Sequence, residues 1–274
     1  MRIGVVAPSS RFDEATAARV AAIAQRRHPE VEIEFHPQCF LAHNHFAGTD
    51  AARADAFVEM ANDPGLDALW FARGGYGACR IAEDAIARLK PAARDKTYLG
   101  YSDAGYLLAG LYRAGFPNLA HGPMPQDVLR EGGEAAVERA LAWLAARDPA
   151  ALEPGLEAGA PHAAFNLTVF GLMLGTPLEP DLAGHILLVE EVSEHMYRID
   201  RALFHVTGNE KVRRIAGLRL GRCGDVPVND PDFGEAEEAV ARHWCARSGI
   251  LYLGRADIGH DSANKVVPFG RIPV

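Results

Sequence analysis

The stretch Leu66-Asp67-Ala68-Leu69-Trp70-Phe71-Ala72 runs without a break into Arg73-Gly74-Gly75-Tyr76-Gly77. Its apolar residues follow neither a period of two nor one of 3.6, and Asn62-Asp63-Pro64-Gly65 closes it off on the N-terminal side. A short, nearly continuous apolar run between turn signals reads as a strand buried on both faces, the kind found in parallel sheets. Working outward, Ile3 to Ala7 is a second such strand, and residues 13–27 carry helical spacing with many alanines. Val31 to Phe35 alternates apolar and acidic residues, as an edge strand does. Thr49-Asp50 opens a helix that continues to about Ala61. Tyr98 to Tyr101 is a short strand followed by a helix with Leu107, Leu108, Leu111 and Tyr112 on one stripe. Strands alternating with helices in this way predict an α/β fold with a parallel sheet and ligands at the strand C-terminal ends.

The segment from Ala146 to Ala164 is rich in Ala, Pro, Gly and Glu without clear periodicity, and reads as an interdomain linker. Beyond it, strand-like runs at Ile186–Val192, Ile215–Leu220 and Ile250–Leu253 surround helices near Ile199–Val206 and Glu235–Arg247. The expected organisation is an N-terminal domain over 1–147, a linker over 148–165 and a smaller C-terminal domain over 166–274.

With 274 residues and 49% hydrophobic content the chain can bury a full core. A net charge of -8 argues against a nucleic-acid partner, which would need a basic face. The apolar run at the N-terminus is too short for a signal segment or a membrane span. Cys39, Cys79, Cys223 and Cys245 are scattered with no CxxC spacing, as expected of free thiols in a reducing compartment. A cytoplasmic protein with no membrane partner is the expectation.

Several residues can carry chemistry. Ser102, in Gly100-Tyr101-Ser102-Asp103-Ala104-Gly105, falls where a strand turns into a helix, so free N–H groups point toward it. The same position suits an N-cap, serine's commoner role there. Three glycines in 74–77 let backbone approach a ligand, though a tight turn would use them equally, and no nucleotide-binding pattern accompanies them. Glu190, Glu191 and Glu194 close the run Ile186-Leu187-Leu188-Val189. One carboxylate there can orient a histidine, while a solvated edge is the alternative and the expected place of Glu191 and Glu194. Strand alternation puts Glu190 and Glu191 on opposite faces. His260, in Ile258-Gly259-His260-Asp261, lies on a glycine-flanked loop suited to a general base, and His121 is its competitor. His36, His43 and His45 lack any HExxH or matching ExxH and are taken as surface residues, so no metal is expected.

Seven segments, in order, resemble the LD-carboxypeptidases, the muramoyltetrapeptide carboxypeptidases with which the microcin C self-immunity peptidases belong. They are Ala47-Gly48-Thr49-Asp50 with Arg53, Leu69-Trp70-Phe71-Ala72 with the glycine loop, Gly100-Tyr101-Ser102-Asp103, His121-Gly122-Pro123-Met124, Gly175-Thr176-Pro177, Glu190 through Tyr197-Arg198-Ile199-Asp200-Arg201, and Ile258-Gly259-His260. The resemblance implies a Rossmann-like N-terminal domain joined to a smaller β-rich C-terminal domain, usually as a homodimer. It implies a serine peptidase whose triad is Ser102, Glu190 and His260, with Glu191 the neighbouring register. Its oxyanion hole would use the N–H groups of Asp103 and Gly75. It implies release of the terminal D-alanine from a murein tetrapeptide, a small peptide substrate, with no cofactor. Arginine suits a terminal carboxylate best, and Arg73 beside the glycine loop is the expected binder. Two places depart from the pattern: Ala104-Gly105 stands where the family has SD-x-T, and Ala163-Ala164 replaces a double glycine. The alternatives are hydrolysis of peptidyl-nucleotide amides, and an inactive binding module of the same fold.

Overall fold

The computed structural model describes residues 1–271, so residues 272–274 of the expected C-terminal domain lie outside the described residues. Five parallel strands, β1 (Arg2–Val6), β2 (Glu32–Phe35), β3 (Ala68–Phe71), β4 (Thr97–Gly100) and β5 (Leu119–His121), form the first sheet in the order β5-β4-β3-β1-β2. All four residues of β3 and of β4 are buried, which is why their sequences show no alternation, whereas edge strand β2 alternates exposed and half-buried positions. The helices of this half are α1 (Glu14–Arg27), α2 (Asp50–Asn62), α3 (Ala82–Ala87), α4 (Gly105–Arg113) and α5 (Gly133–Ala146). Asp13 and Thr49 cap α1 and α2 by accepting from the N–H groups of Thr16 and Ala52. The winding reverses between β1 and β3, and the crevice beyond the strand ends at such a reversal is where sheets of this kind bind ligands.

The second sheet sets β6 (Pro161–Asn166), β7 (Ile186–Val192), β8 (Gly217–Gly224) and β9 (Tyr252–Arg255) parallel to one another, with α6 (Leu167–Met173), α7 (Met196–Gly208) and α8 (Glu237–Ser248). The segment expected as a linker over 148–165 therefore ends inside this sheet. Positions 162–166 of β6 are buried, so the strand carries the run His162-Ala163-Ala164-Phe165, which has no polar alternation to betray it. Glu153, in the same segment, is buried and pairs with Arg219 of β8 at 2.7 Å. The last described residues cross between the sheets: β10 (Val267–Pro268) pairs antiparallel with β5, and β11 (Gly270–Arg271) pairs antiparallel with β6. One continuous core joins the halves, with Phe165, Phe170 and Phe269 packed in series. Among the described residues no helix is long and apolar enough to cross a membrane.

Candidate active site

Ser102 stands directly after β4, on a short 3-10 turn that leads into α4. It does not act as an N-cap. Its φ is 57°, in the left-handed region that costs a serine about 1 to 3 kcal/mol, and among the described residues its hydroxyl has no hydrogen-bond partner. The loop after β3 closes on it from one side. A Cβ on Gly74 would lie 2.8 Å from both Cβ and Oγ of Ser102, so only glycine lets that backbone reach the serine. Asp103, the next residue, is buried, and its carboxylate accepts from Ser9 Oγ and from the Ala78 N–H at 2.8 Å. Burial pushes the Asp103 carboxyl up, partly offset by those hydrogen bonds. The side chain thus ties the serine turn to the loop after β1 and to the far end of the glycine loop, which carries Gly75.

From the second sheet, Glu190 meets His260. Glu190 is completely buried, and its Oε2 lies 2.5 Å from His260 Nδ1. Its Oε1 is buried with no partner among the described residues. The pairing of β7 with β8 shifts register between Val189 and Glu191. Gly221 of β8 makes room there, because a Cβ on it would come within 2.8 Å of Glu190 Cβ. Burial is the largest influence on the His260 ring and lowers its pKa, but the charge and hydrogen bond of Glu190 outweigh it and raise the pKa above the ordinary value. The ring lies 4.7 Å from that of Tyr101, the residue before Ser102, so the serine turn and the histidine loop meet across the two sheets.

The loop of His260 is held from three sides. Arg222 on β8 grips both flanking carboxylates, Asp261 through Nε and Nη2 and Asp257 through Nη1. Glu153 accepts from the Asp257 N–H at 3.0 Å, and Arg139 donates to the carbonyls of Ser262 and Asn264 at 2.9 Å. Buried Asn264 accepts from the Gly259 N–H at 3.2 Å. Tyr101 donates to Asp127 at 2.7 Å, and Asp127 also pairs with Arg130. None of these supports was singled out from sequence. The available signal was a run of polar residues in loops at strand ends, Asp127 and Arg130 after β5 and Asp257 and Asp261 after β9.

The other expected residues fall elsewhere. Glu191 is not on a solvated edge: it is 3% exposed, and its carboxylate accepts four hydrogen bonds, from Asn166 Nδ2, the Val192 N–H, and the N–H and hydroxyl of Thr168. The donors come from β6, α6 and β7, and of these elements only β7 is expected from sequence. Glu194 is partly exposed and pairs with Arg198 at 2.8 Å. His121 is buried, with Nε2 3.3 Å from Asn264 Oδ1, and burial pushes its pKa down to about 3. Arg73 is half-buried and donates to the Arg11 carbonyl at 3.1 Å, while its Nε is buried without a partner among the described residues. His36, His43 and His45 do not converge, and among the described residues no three His, Cys, Asp or Glu side chains gather as metal ligands would.

Family models match this chain twice, the LD-carboxypeptidase N-terminal domain over residues 3–122 and the LD-carboxypeptidase C-terminal domain over 163–272. The chain belongs to the LD-carboxypeptidase family. It is 27% identical over 289 residues to the murein tetrapeptide carboxypeptidase of Pseudomonas aeruginosa, covering 100% of this chain and 92% of that one. The solved muramoyltetrapeptide carboxypeptidase of Oxalobacter formigenes superposes with a TM-score of 0.82 at 23% identity, over 98% of this chain and 93% of that one. The microcin C7 self-immunity protein MccF, solved with glutamyl sulfamoyl guanosine, shares the fold with a TM-score of 0.79 at 17% identity, over 98% and 91%. This LD-carboxypeptidase is accordingly a peptidase by family, with an α/β fold as expected.

Proposed function

We propose that this chain is a serine-type carboxypeptidase that cuts the L,D-peptide bond of murein tetrapeptides and releases the terminal D-alanine. The observation that carries the reading is the buried contact of Glu190 with His260, on a loop that touches the turn of Ser102. His260 takes the Ser102 proton at Nε2 while its Nδ1–H stays on Glu190, whose charge stabilises the imidazolium. The serine oxygen adds to the scissile carbonyl, and the N–H groups of Asp103 and Gly75 receive the oxyanion. The imidazolium passes its proton to the departing amine, leaving an acyl-enzyme. Water, deprotonated by the same ring, then frees the acid. A Ser102–His260 hydrogen bond that tightens only with substrate present is usual for such pairs. Arg73 is the sequence's choice for the terminal carboxylate. Cytoplasmic location and a homodimer belong to the same reading.

A second reading, hydrolysis of peptidyl-nucleotide amides, is favoured by one feature: Tyr76 on the glycine loop is 49% exposed, and its ring lies 6.1 Å from His45 and 6.0 Å from Phe46. Such a surface suits a planar base. The test measures D-alanine released from a defined murein tetrapeptide beside nucleoside released from an aminoacyl sulfamoyl nucleoside. Faster turnover of the tetrapeptide, abolished by Ser102→Ala, is the expected result. Turnover of the nucleoside alone selects the second reading, and no turnover of either with no fluorophosphonate labelling selects an inactive binding module.

A further inference from the structure

In acyl transfer through serine, the histidine that deprotonates the nucleophile hands its proton to the leaving amine. The leaving group therefore departs beside the histidine. In a carboxypeptidase that group is a single residue, so its carboxylate lies within about one residue length, ~3.8 Å, of the amine. A guanidinium that recognises it must stand on the histidine's flank of the serine.

The order of the first sheet separates the two flanks. Ser102 follows β4, which lies between β3 and β5. Arg73 follows β3, on the flank of the glycine loop and Arg11. His260 is on the other flank. Asn264, on its loop, lies 3.3 Å from His121 at the end of β5, and the His260 ring lies against Tyr101. Three arginines surround that loop. Arg222 has all three guanidinium nitrogens committed to Asp257 and Asp261, and Arg139 is turned to the carbonyls of Ser262 and Asn264.

Arg130 is the third, on the segment that follows β5. Its Nε pairs with Asp127 Oδ1 at 2.9 Å, the same oxygen that accepts from Tyr101 at 2.7 Å. The turn beyond it packs on the histidine loop, since a Cβ on Gly132 would lie 3.1 Å from Ser262 Oγ. Its charge is felt by both His260 and Asp261. The side chain is 37% exposed, and its Nη1 and Nη2 enter no ion pair among the described residues. Asp127 fixes the Nε edge of the guanidinium, beside Tyr101, and leaves the end-on Nη1 and Nη2 without a carboxylate among the described residues, the geometry that takes one through two parallel hydrogen bonds.

We infer that Arg130, held by Asp127, receives the terminal carboxylate of the substrate and so sets the preference for a free C-terminus. The inference rests on the serine carboxypeptidase reading. It is tested with one tetrapeptide in two forms, the free acid and the C-terminal amide, by comparing the ratio of their kcat/KM values, in which the fraction of folded enzyme cancels. Wild type should favour the acid by about 10- to 100-fold, the scale of a charge-assisted contact. Arg130→Ala should bring the ratio to within about threefold of one, through KM for the acid rather than kcat, and Arg130→Lys should fall between, since it keeps the charge without the fork. Arg73→Ala should retain the preference. An Arg130→Ala ratio like that of wild type overturns the inference, as does an Arg73→Ala ratio near one. Equal cleavage of both forms by wild type overturns it too while leaving the serine peptidase standing. Cleavage of neither form removes the reading itself and the inference with it.

Discussion

Glu190 and Glu191 are neighbours on one strand, and His260 and His121 both lie against Tyr101, yet the fold uses the two glutamates, and the two histidines, in opposite ways. Glu191 is saturated: four donors from β6, β7 and α6 converge on its two oxygens. Glu190 is as deeply buried but gives one oxygen to His260 and, among the described residues, has no donor on the other. The histidines mirror this. Hydrogen-bonded to an amide rather than a carboxylate, His121 is held neutral by burial, whereas Glu190 lifts His260 above its ordinary pKa against burial. Burial by itself therefore does not make a reactive group. What distinguishes Glu190 with His260 is a carboxylate whose charge is spent on a single imidazole, which keeps that imidazole basic and fixes its tautomer.

The comparison breaks most sharply at the nucleophile and base. Ser102→Ala and His260→Ala should each fold normally by circular dichroism and lose at least about three orders of magnitude in turnover, because members of such a set act as a unit. Near-wild-type activity in either would end the triad reading. Glu190→Gln should be about 30- to 100-fold less damaging than Ser102→Ala, since an amide oxygen can still hold the ring.

The same variant sharpens the electrostatic half of the contrast. A general base works only when neutral, so activity falls as pH drops through the raised pKa of His260. Asp127 also raises that pKa and Arg130 lowers it, but Glu190 is the largest raising influence. Removing its charge leaves burial dominant, and the acid limb of kcat/KM should move to lower pH in Glu190→Gln. An unmoved limb, or one displaced upward, would show that another group sets it.

How much of this was legible depended on the distance over which each residue is held. The glycine loop and Ser102 were readable because strands buried on both faces leave unbroken apolar runs that point straight at the turns after them. Glu190 and His260 stood out by strand alternation, by a glycine-flanked loop and, most of all, by ordered resemblance to the family. The burial of Glu191 was not readable, since its donors Asn166 and Thr168 lie more than twenty residues upstream on a strand and a helix too short to show a period. Nor were Asp127, Arg130 and Arg222. Each is a polar residue in or near a loop whose partner is fixed only by tertiary structure, as when Glu153 accepts from Asp257 across 104 positions.

A smaller effect, on stability rather than turnover, should separate the two glutamates. In Glu191→Gln the new amide N–H groups face at least one N–H donor whichever way the side chain turns, since of the four donors only the Thr168 hydroxyl can turn to accept, so a buried donor is left unpaired and the charge-assisted bonds are weakened. That should cost about 2 kcal/mol or more, seen as a lower urea midpoint, with kcat/KM within roughly tenfold of wild type. Glu190→Gln gives up one contact rather than a four-donor network, so its midpoint should fall less than that of Glu191→Gln. A collapse of activity in Glu191→Gln with Glu190→Gln intact would exchange the two assignments.

The smallest expected effect on activity is at His121, where the informative readout is stability against pH. Its folded pKa, about 3, lies below the 6.5 of an unfolded histidine, so the unfolded chain binds a proton that the folded chain refuses. The folded state therefore loses stability as pH falls from about 6.5 toward 3, by at most ~1.4 kcal/mol per pH unit. His260 has the opposite sign, because its folded pKa is raised: its contribution is present below the unfolded value and fades as pH rises through the folded one. Comparing wild type with His121→Gln cancels His260 and the carboxylates, which both proteins share. The unfolding free energy of His121→Gln should fall less steeply than that of wild type between pH 6 and pH 4. Activity of His121→Ala at neutral pH should stay within roughly tenfold, because the ring touches Asn264 behind the His260 loop and carries no charge to lose. Parallel stability curves would mean that His121 takes up a proton inside the fold, and a loss of activity matching that of Ser102→Ala would make it, rather than His260, the base.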